Sequence, residues 1–185
     1  VEASLGDSAL QTSLQAALIG LIILMAYLIV MYRLPGFLAN LALNVYAIIF
    51  VALLKLPLFL FSSDYIVLTL AGMAGIILSI GMAVDANILI FERMKEELHR
   101  GKSIKVAAET GFKRAWPSIR DGNVSTFITC IILFSIGTSI VKGFAATLGM
   151  GVAISMFSAI VVTRWLLGFI ARTDFAEKNA WLFGK

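Results

Sequence analysis

Of the 185 residues, 60% are hydrophobic and 14% are charged, with a net charge of +4. So apolar a chain is not an ordinary soluble domain, whose surface needs many more polar residues to cover it. The basic excess gathers beside apolar runs and is mixed with acids, which fits flanks that meet anionic lipid headgroups and argues against a nucleic-acid partner.

A helix needs roughly 20 apolar residues to cross a hydrocarbon core of about 30 Å. Residues 1–13 read as a lead-in on the outer side of the membrane. The chain starts at Val1 without an initiator methionine, and an odd number of spans with the N-terminus outside is unusual without an earlier crossing. The simplest expectation is an earlier crossing and an outer domain upstream. The alternative is a complete five-span protein with a processed first residue. The first span is placed at 14–32. No basic region precedes it and no small-residue cleavage site follows, so it reads as a retained helix and not as a signal peptide.

Arg33-Leu34-Pro35-Gly36 reads as a tight inner turn, with proline ending one helix and glycine allowing the reversal. A second span follows at 36–54. Leu56–Phe61 is a short apolar outer segment. The third span, 65–91, is the longest and contains Asp85. A linker at 95–115 carries an amphipathic helix that Ser103 could cap, with Ile104, Ala107, Ala108 and Phe112 on one side. It is expected to lie along the cytoplasmic membrane face, with partner docking as the alternative. The fourth span is placed at 117–136, the fifth at 144–170, and a tail at 171–185.

Charge bias orients these spans. Glu2 and Asp7 precede the first, and Arg33 follows it. The Glu92–Trp116 stretch holds Arg93, Lys95, Arg100, Lys102, Lys105, Lys113 and Arg114 against four glutamates, while the opposite connections offer Lys55 and Lys142. Basic loops stay inside, so the start of the chain is expected outside and its C-terminus in the cytoplasm.

The polar residues within the spans carry any chemistry. A carboxylate such as Asp85 is costly in lipid and usually faces a bundle interior, a wet cavity or a partner. It suits either a proton carrier or a static polar contact. On a helical wheel Ala74, Leu78, Gly81 and Glu92 share its side, while Asn87 lies almost opposite and is expected to bond elsewhere. Asp121 and Asn123 open the fourth span, followed by Ser125, Thr126 and Thr129; Asp121 suits a helix-end contact as well as a coupling role. Arg120 and Arg164 are candidate electrostatic partners, Arg164 being able to snorkel. Gly72, Gly75, Gly81, Gly143, Gly149 and Gly151 permit close helix packing or local bending. His99 is isolated and Cys130 is the lone cysteine, so no His/Cys metal cluster, internal disulfide or cofactor is expected. Nor is there a nucleophile elbow, phosphate loop or dinucleotide motif, and an enzyme is not expected.

The run Gly81–Arg93, with its Val84-Asp85-Ala86-Asn87 core and Phe91-Glu92-Arg93 ending, resembles the SecD/SecF family of protein-export membrane subunits. Matching segments follow in order at Tyr32–Gly36, Gly111–Ala115, Asp121–Thr126, Val141–Ala145 and Val161–Arg164. The resemblance covers residues 4 to 170 and is nearer the SecD half than the SecF half. Gly122 departs from it mildly, standing where alanine is common.

That family belongs to the resistance-nodulation-division superfamily. The resemblance implies an all-α polytopic helix bundle, one half of a pseudo-symmetric pair, with five of the usual six spans present here. It also implies proton flow that moves an outer domain and helps draw a preprotein from SecYEG after SecA has pushed it. Asp85 matches the family's embedded proton-path aspartate, and Asp121 and Asn123 match its polar pair in the next span. The partners implied are SecF, SecYEG with SecA, membrane lipids, a secreted preprotein through the outer domain, and at most a YajC-like accessory subunit. The location implied is the prokaryotic cytoplasmic membrane. The rival expectations are a proton-driven exporter of lipid or small molecules from the same superfamily, and a purely structural membrane module.

Overall fold

The computed structural model describes residues 2–55, 69–171, 173 and 180–183, with side chains from Ala9 onward. The outer segment Leu56–Phe61, the beginning of the expected third span and most of the tail lie outside the described residues. Among the described residues five helices are long and apolar enough to cross a membrane, and the protein is a multi-pass, all-helical membrane protein. They are α1 (Glu2–Tyr32), α2 (Leu34–Lys55), α3 (Leu70–His99), α4 (Ile104–Ile136) and a composite fifth crossing. The fifth joins α5 (Ser139–Phe157) through a π-helical stretch (Ser158–Thr163) to α6 (Arg164–Ile170), and a 3-10 turn follows at Ala180–Phe183.

Burial ranks the helices. In the most apolar window of α1 6% of residues are buried, against 44% in α3 and 56% in the fifth crossing. Leu18, Ile22, Ile23 and Val30 of α1 are exposed, as suits a helix solvated mainly by lipid. Small residues let α3 and α5 meet at the centre. A Cβ on Gly75 would collide with Thr147 and with the Phe144 carbonyl, and one on Gly151 would collide with Ser79. Thr147 Oγ1 lies 3.0 Å from the Gly72 carbonyl oxygen, and the Tyr46 and Ser79 hydroxyls are 2.7 Å apart. Gly149 meets Cys130 of α4, and Gly143 meets Thr69. Close packing therefore accounts for Gly75, Gly143 and Gly151, whereas a Cβ on Gly149 would make only an ordinary contact and one on Gly81 would meet nothing within 4 Å among the described residues.

The inner turn differs from the expected one. Pro35 does not end a helix; it is the second residue of α2, where a missing N–H costs nothing. The reversal falls on Arg33, at φ 53°, a left-handed conformation costing roughly 1–2 kcal/mol for a residue with a Cβ. Arg33 donates to the Trp181 carbonyl at 2.6 Å, and its guanidinium lies 5.1 Å from the centre of that indole. Gly36 serves close approach instead, because a Cβ there would strike the Leu28 carbonyl.

The expected linker helix and fourth span form one uninterrupted helix, with Pro117 inside it. Pro117 and Lys113, four residues earlier, are both exposed, so the hydrogen bond that proline removes is lost away from the packed core. Ser103 takes the N-cap position, but its side chain makes no cap bond. Nor does the apolar side of Ile104–Ala115 lie free against a membrane surface. Ile104, Ala107, Ala108 and Ala115 join the main core with Phe91, Met94 and Leu98 of α3, and Gly111 presses against the Met94 backbone. At 1.5 Å per residue, α3 and α4 are each about 45–50 Å long and outreach a core of about 30 Å. Their charged ends continue past it side by side.

Candidate functional site

Asp85 sits midway along α3, and the side it shares with Ala74, Leu78, Gly81 and Glu92 is exposed throughout. It makes no hydrogen bond or ion pair among the described residues. The carboxylate borders a cleft of about 300 Å³ between α3 and α4, where Met82, Asp85 and Leu89 face Ser118, Asn123 and Thr126. Asn123 is buried and donates through Nδ2 to the Ile119 carbonyl at 2.9 Å, which leaves its amide oxygen without a partner among the described residues. A carboxylate and an amide thus share one apolar-walled cleft. The hydroxyls above them are quiet: Ser125, Thr126 and Thr129 donate to the carbonyls of Asp121, Gly122 and Ser125 at 2.9–3.1 Å. Such back-bonding satisfies a hydroxyl within its own helix.

The other candidates are placed elsewhere. Asn87 turns inward and accepts a 2.7 Å hydrogen bond from Thr163 of the π-helical stretch, and both side chains are buried. In the same stretch Ser158 donates to the Ala42 carbonyl at 3.1 Å. Short π-helical stretches recur at functional positions, and this one ties the fifth crossing to both α2 and α3. Asp121 does not line the cleft; it pairs with Arg120 at 2.9 Å, with both side chains more than half exposed. Arg164 lies over the Phe112 ring at 4.9 Å. Neither arginine pairs with Asp85. Of the four polar residues expected on the path, Asp85 and Asn123 share the cleft, and Asn87 and Asp121 do not.

A second charged centre escaped the sequence reading. The Glu97 side chain is 1% exposed and meets Arg114 at 2.6 Å, Arg100 at 2.9 Å and Lys102 at 2.5 Å. The Lys102 contact is an ion pair and not an aligned hydrogen bond. Arg114 also reaches Glu96 at 2.9 Å, and Glu96 pairs with Arg93 at 2.6 Å. These pairs clamp the end of α3 to the start of α4. The signal was present in the pattern, because Asn87, Ile90, Met94 and Glu97 fall on one helical stripe. No cluster of three metal-ligating side chains occurs among the described residues.

Residues 1–173 match the family model described as protein export membrane protein SecD/SecF, C-terminal. The chain is similar to the protein translocase subunit SecD of Thermobaculum terrenum, 50% identical over all of this chain and 35% of that protein. It is likewise 50% identical to the SecD subunit of Dehalococcoides mccartyi, over 97% of this chain and 40% of the relative. It thus spans about a third to two fifths of the length of these relatives. Among solved structures, the crystal structure of SecDF, a translocon-associated membrane protein from Thermus thermophilus, superimposes with a TM-score of 0.82 at 34% identity. That match covers 95% of this chain and 23% of the other. A second SecDF crystal structure, in a super-membrane-facing form, gives a TM-score of 0.80 at 36% identity, over 90% of this chain and 22% of the other.

Proposed function

Because the chain belongs to the SecD/SecF family of protein-export membrane proteins, we propose that it is the membrane-embedded engine part of a SecD-type translocase subunit. In this reading Asp85 takes up and releases protons in the α3–α4 cleft, and Asn123 helps to orient it or its water. One observation carries the reading. An unpartnered carboxylate stands on the open side of an otherwise apolar membrane helix, opposite a buried amide with spare hydrogen-bonding capacity. A charge in that position requires water or a second protein surface.

The open side of α3 around Gly81 and Asp85 is the surface for a SecF-type half, across which the proton path is completed. Movement of the proton then biases two arrangements of the halves, and the change reaches an outer domain that handles preprotein leaving SecYEG and SecA. Asn87 supports this role indirectly by holding the π-helical stretch against α3. Asp121, paired with Arg120, is a surface contact in this scheme and not a proton carrier. The start of the chain is assigned to the outer side of the cytoplasmic membrane. The α3–α4 connection and the C-terminus are assigned to the cytoplasmic side.

The test is Asp85→Asn in the complete protein with its SecF-type partner. Preprotein translocation is followed in sealed vesicles with and without a proton gradient. Loss of the gradient-dependent gain, with assembly intact, is the expected result. A gain that survives unchanged makes Asp85 a static polar contact and removes the coupling role.

A further inference from the structure

A second concavity, of about 480 Å³, opens between the start of α4 and α6, and none of the residues of the Asp85 cleft lines it. Three cations line it, Lys105, Lys113 and Arg164, against the single carboxylate of Glu109. None of the three forms an ion pair among the described residues. Their surroundings are ordered by aromatic rings. Phe112 and Trp116 stack at 6.3 Å with planes 7° apart, and the Arg164 guanidinium is held over Phe112 at 4.9 Å.

The floor is apolar, with Leu167 buried beneath the opening. On the outer side of α6, Trp165 and Phe169 stack at 5.8 Å and are both exposed. An aromatic belt of this kind marks the boundary between headgroups and acyl chains. A net excess of two positive charges beside an apolar floor, at the end of membrane helices, matches one kind of ligand. It has a phosphodiester at one end and hydrocarbon at the other. A free phosphate would use the cations but not the floor.

We propose that this groove is a headgroup site for an anionic phospholipid, its phosphodiester held by Lys105, Lys113 and Arg164 and its glycerol end set against Trp116 and Leu167. The proposal rests on the membrane-spanning character of the helices and is independent of proton coupling at Asp85. Bound there, the lipid bridges the start of α4 to the end of the fifth crossing, two elements that the Glu97 clamp does not join.

The experiment uses the complete protein with its partner, delipidated in detergent, and native mass spectrometry of lipid adducts. Phosphatidylglycerol, phosphatidylcholine and inorganic phosphate are the probes. The wild type should retain phosphatidylglycerol over phosphatidylcholine. The triple variant Lys105→Gln/Lys113→Gln/Arg164→Gln should bind it more than about tenfold more weakly, while Lys142→Gln, at the opposite end of the fifth crossing, should match the wild type. Equal retention by the triple variant overturns the proposal. So does displacement of the lipid by millimolar inorganic phosphate, which would mark a phosphate site. If the triple variant fails to assemble, the wild type's choice between the two lipids decides: no preference for phosphatidylglycerol overturns the site.

Discussion

Asn87 and Thr163 are buried and hydrogen-bonded to each other, and each is exposed to the full cost of losing the other. Thr163→Val leaves the Asn87 amide oxygen without a donor, and a buried unsatisfied group costs about 1–3 kcal/mol. The expected outcome is a loss of that size in detergent unfolding. Asn87→Leu/Thr163→Val should lose less than the sum of the two single changes, and strict additivity would show that the bond carries no coupling. Glu97 is bound differently, by three cations around one buried carboxylate. Glu97→Gln is expected to lower the unfolding midpoint and to speed deuterium uptake in the connection around Gly101; unchanged uptake would mean that the clamp does not hold the helix ends. Residues two apart on a helix point some 200° apart, so the divergence of Asp85 and Asn87 was legible in the sequence. Thr163 as the partner was not, because the π-helical stretch that delivers it has no signature in composition.

Among the helices, the seam of α3 against α5 and the open side of α3 carry glycines of opposite meaning. Gly75→Leu should prevent assembly of the bundle, since the added side chain meets the Phe144 backbone and Thr147, and backbone cannot step aside. Gly81→Ala meets nothing among the described residues and should stabilise the chain by up to about 1 kcal/mol through helix propensity. Co-purification with the SecF-type half should fall, because that side is assigned to the partner; undiminished co-purification would move the interface elsewhere. The sequence marked both positions as small residues in spans but could not separate them, since the difference lies in which helix stands opposite. The stretch Ile104–Ala115 had the same ambiguity. Its apolar stripe suited a membrane surface as well as a neighbouring helix, and Gly111 against Met94 decides for the helix.

Taken as a whole, the bundle has a central α3, a largely exposed α1, and charged helix ends gathered on one side. If that side is cytoplasmic, a Cys130→Ala background carrying Lys102→Cys should react with a membrane-impermeant maleimide only from the cytoplasmic face, and Thr138→Cys only from the opposite face. The reverse pattern would invert the assigned topology. The five long apolar helices among the described residues were legible because length and hydropathy mark them. The joining of linker and fourth span was not, because Pro117 looks like a boundary until its exposed position is known. A different kind of consequence attaches to Arg33. Its strained turn is steadied by the carbonyl and ring of Trp181, 148 residues later. At ribosomal speeds of about 5–20 residues per second, that partner emerges roughly 7–30 s after the turn itself. The bend between α1 and α2 therefore lacks this support until nearly the last of the chain described here arrives to fasten it. An order of events in time is written into a contact between two distant residues.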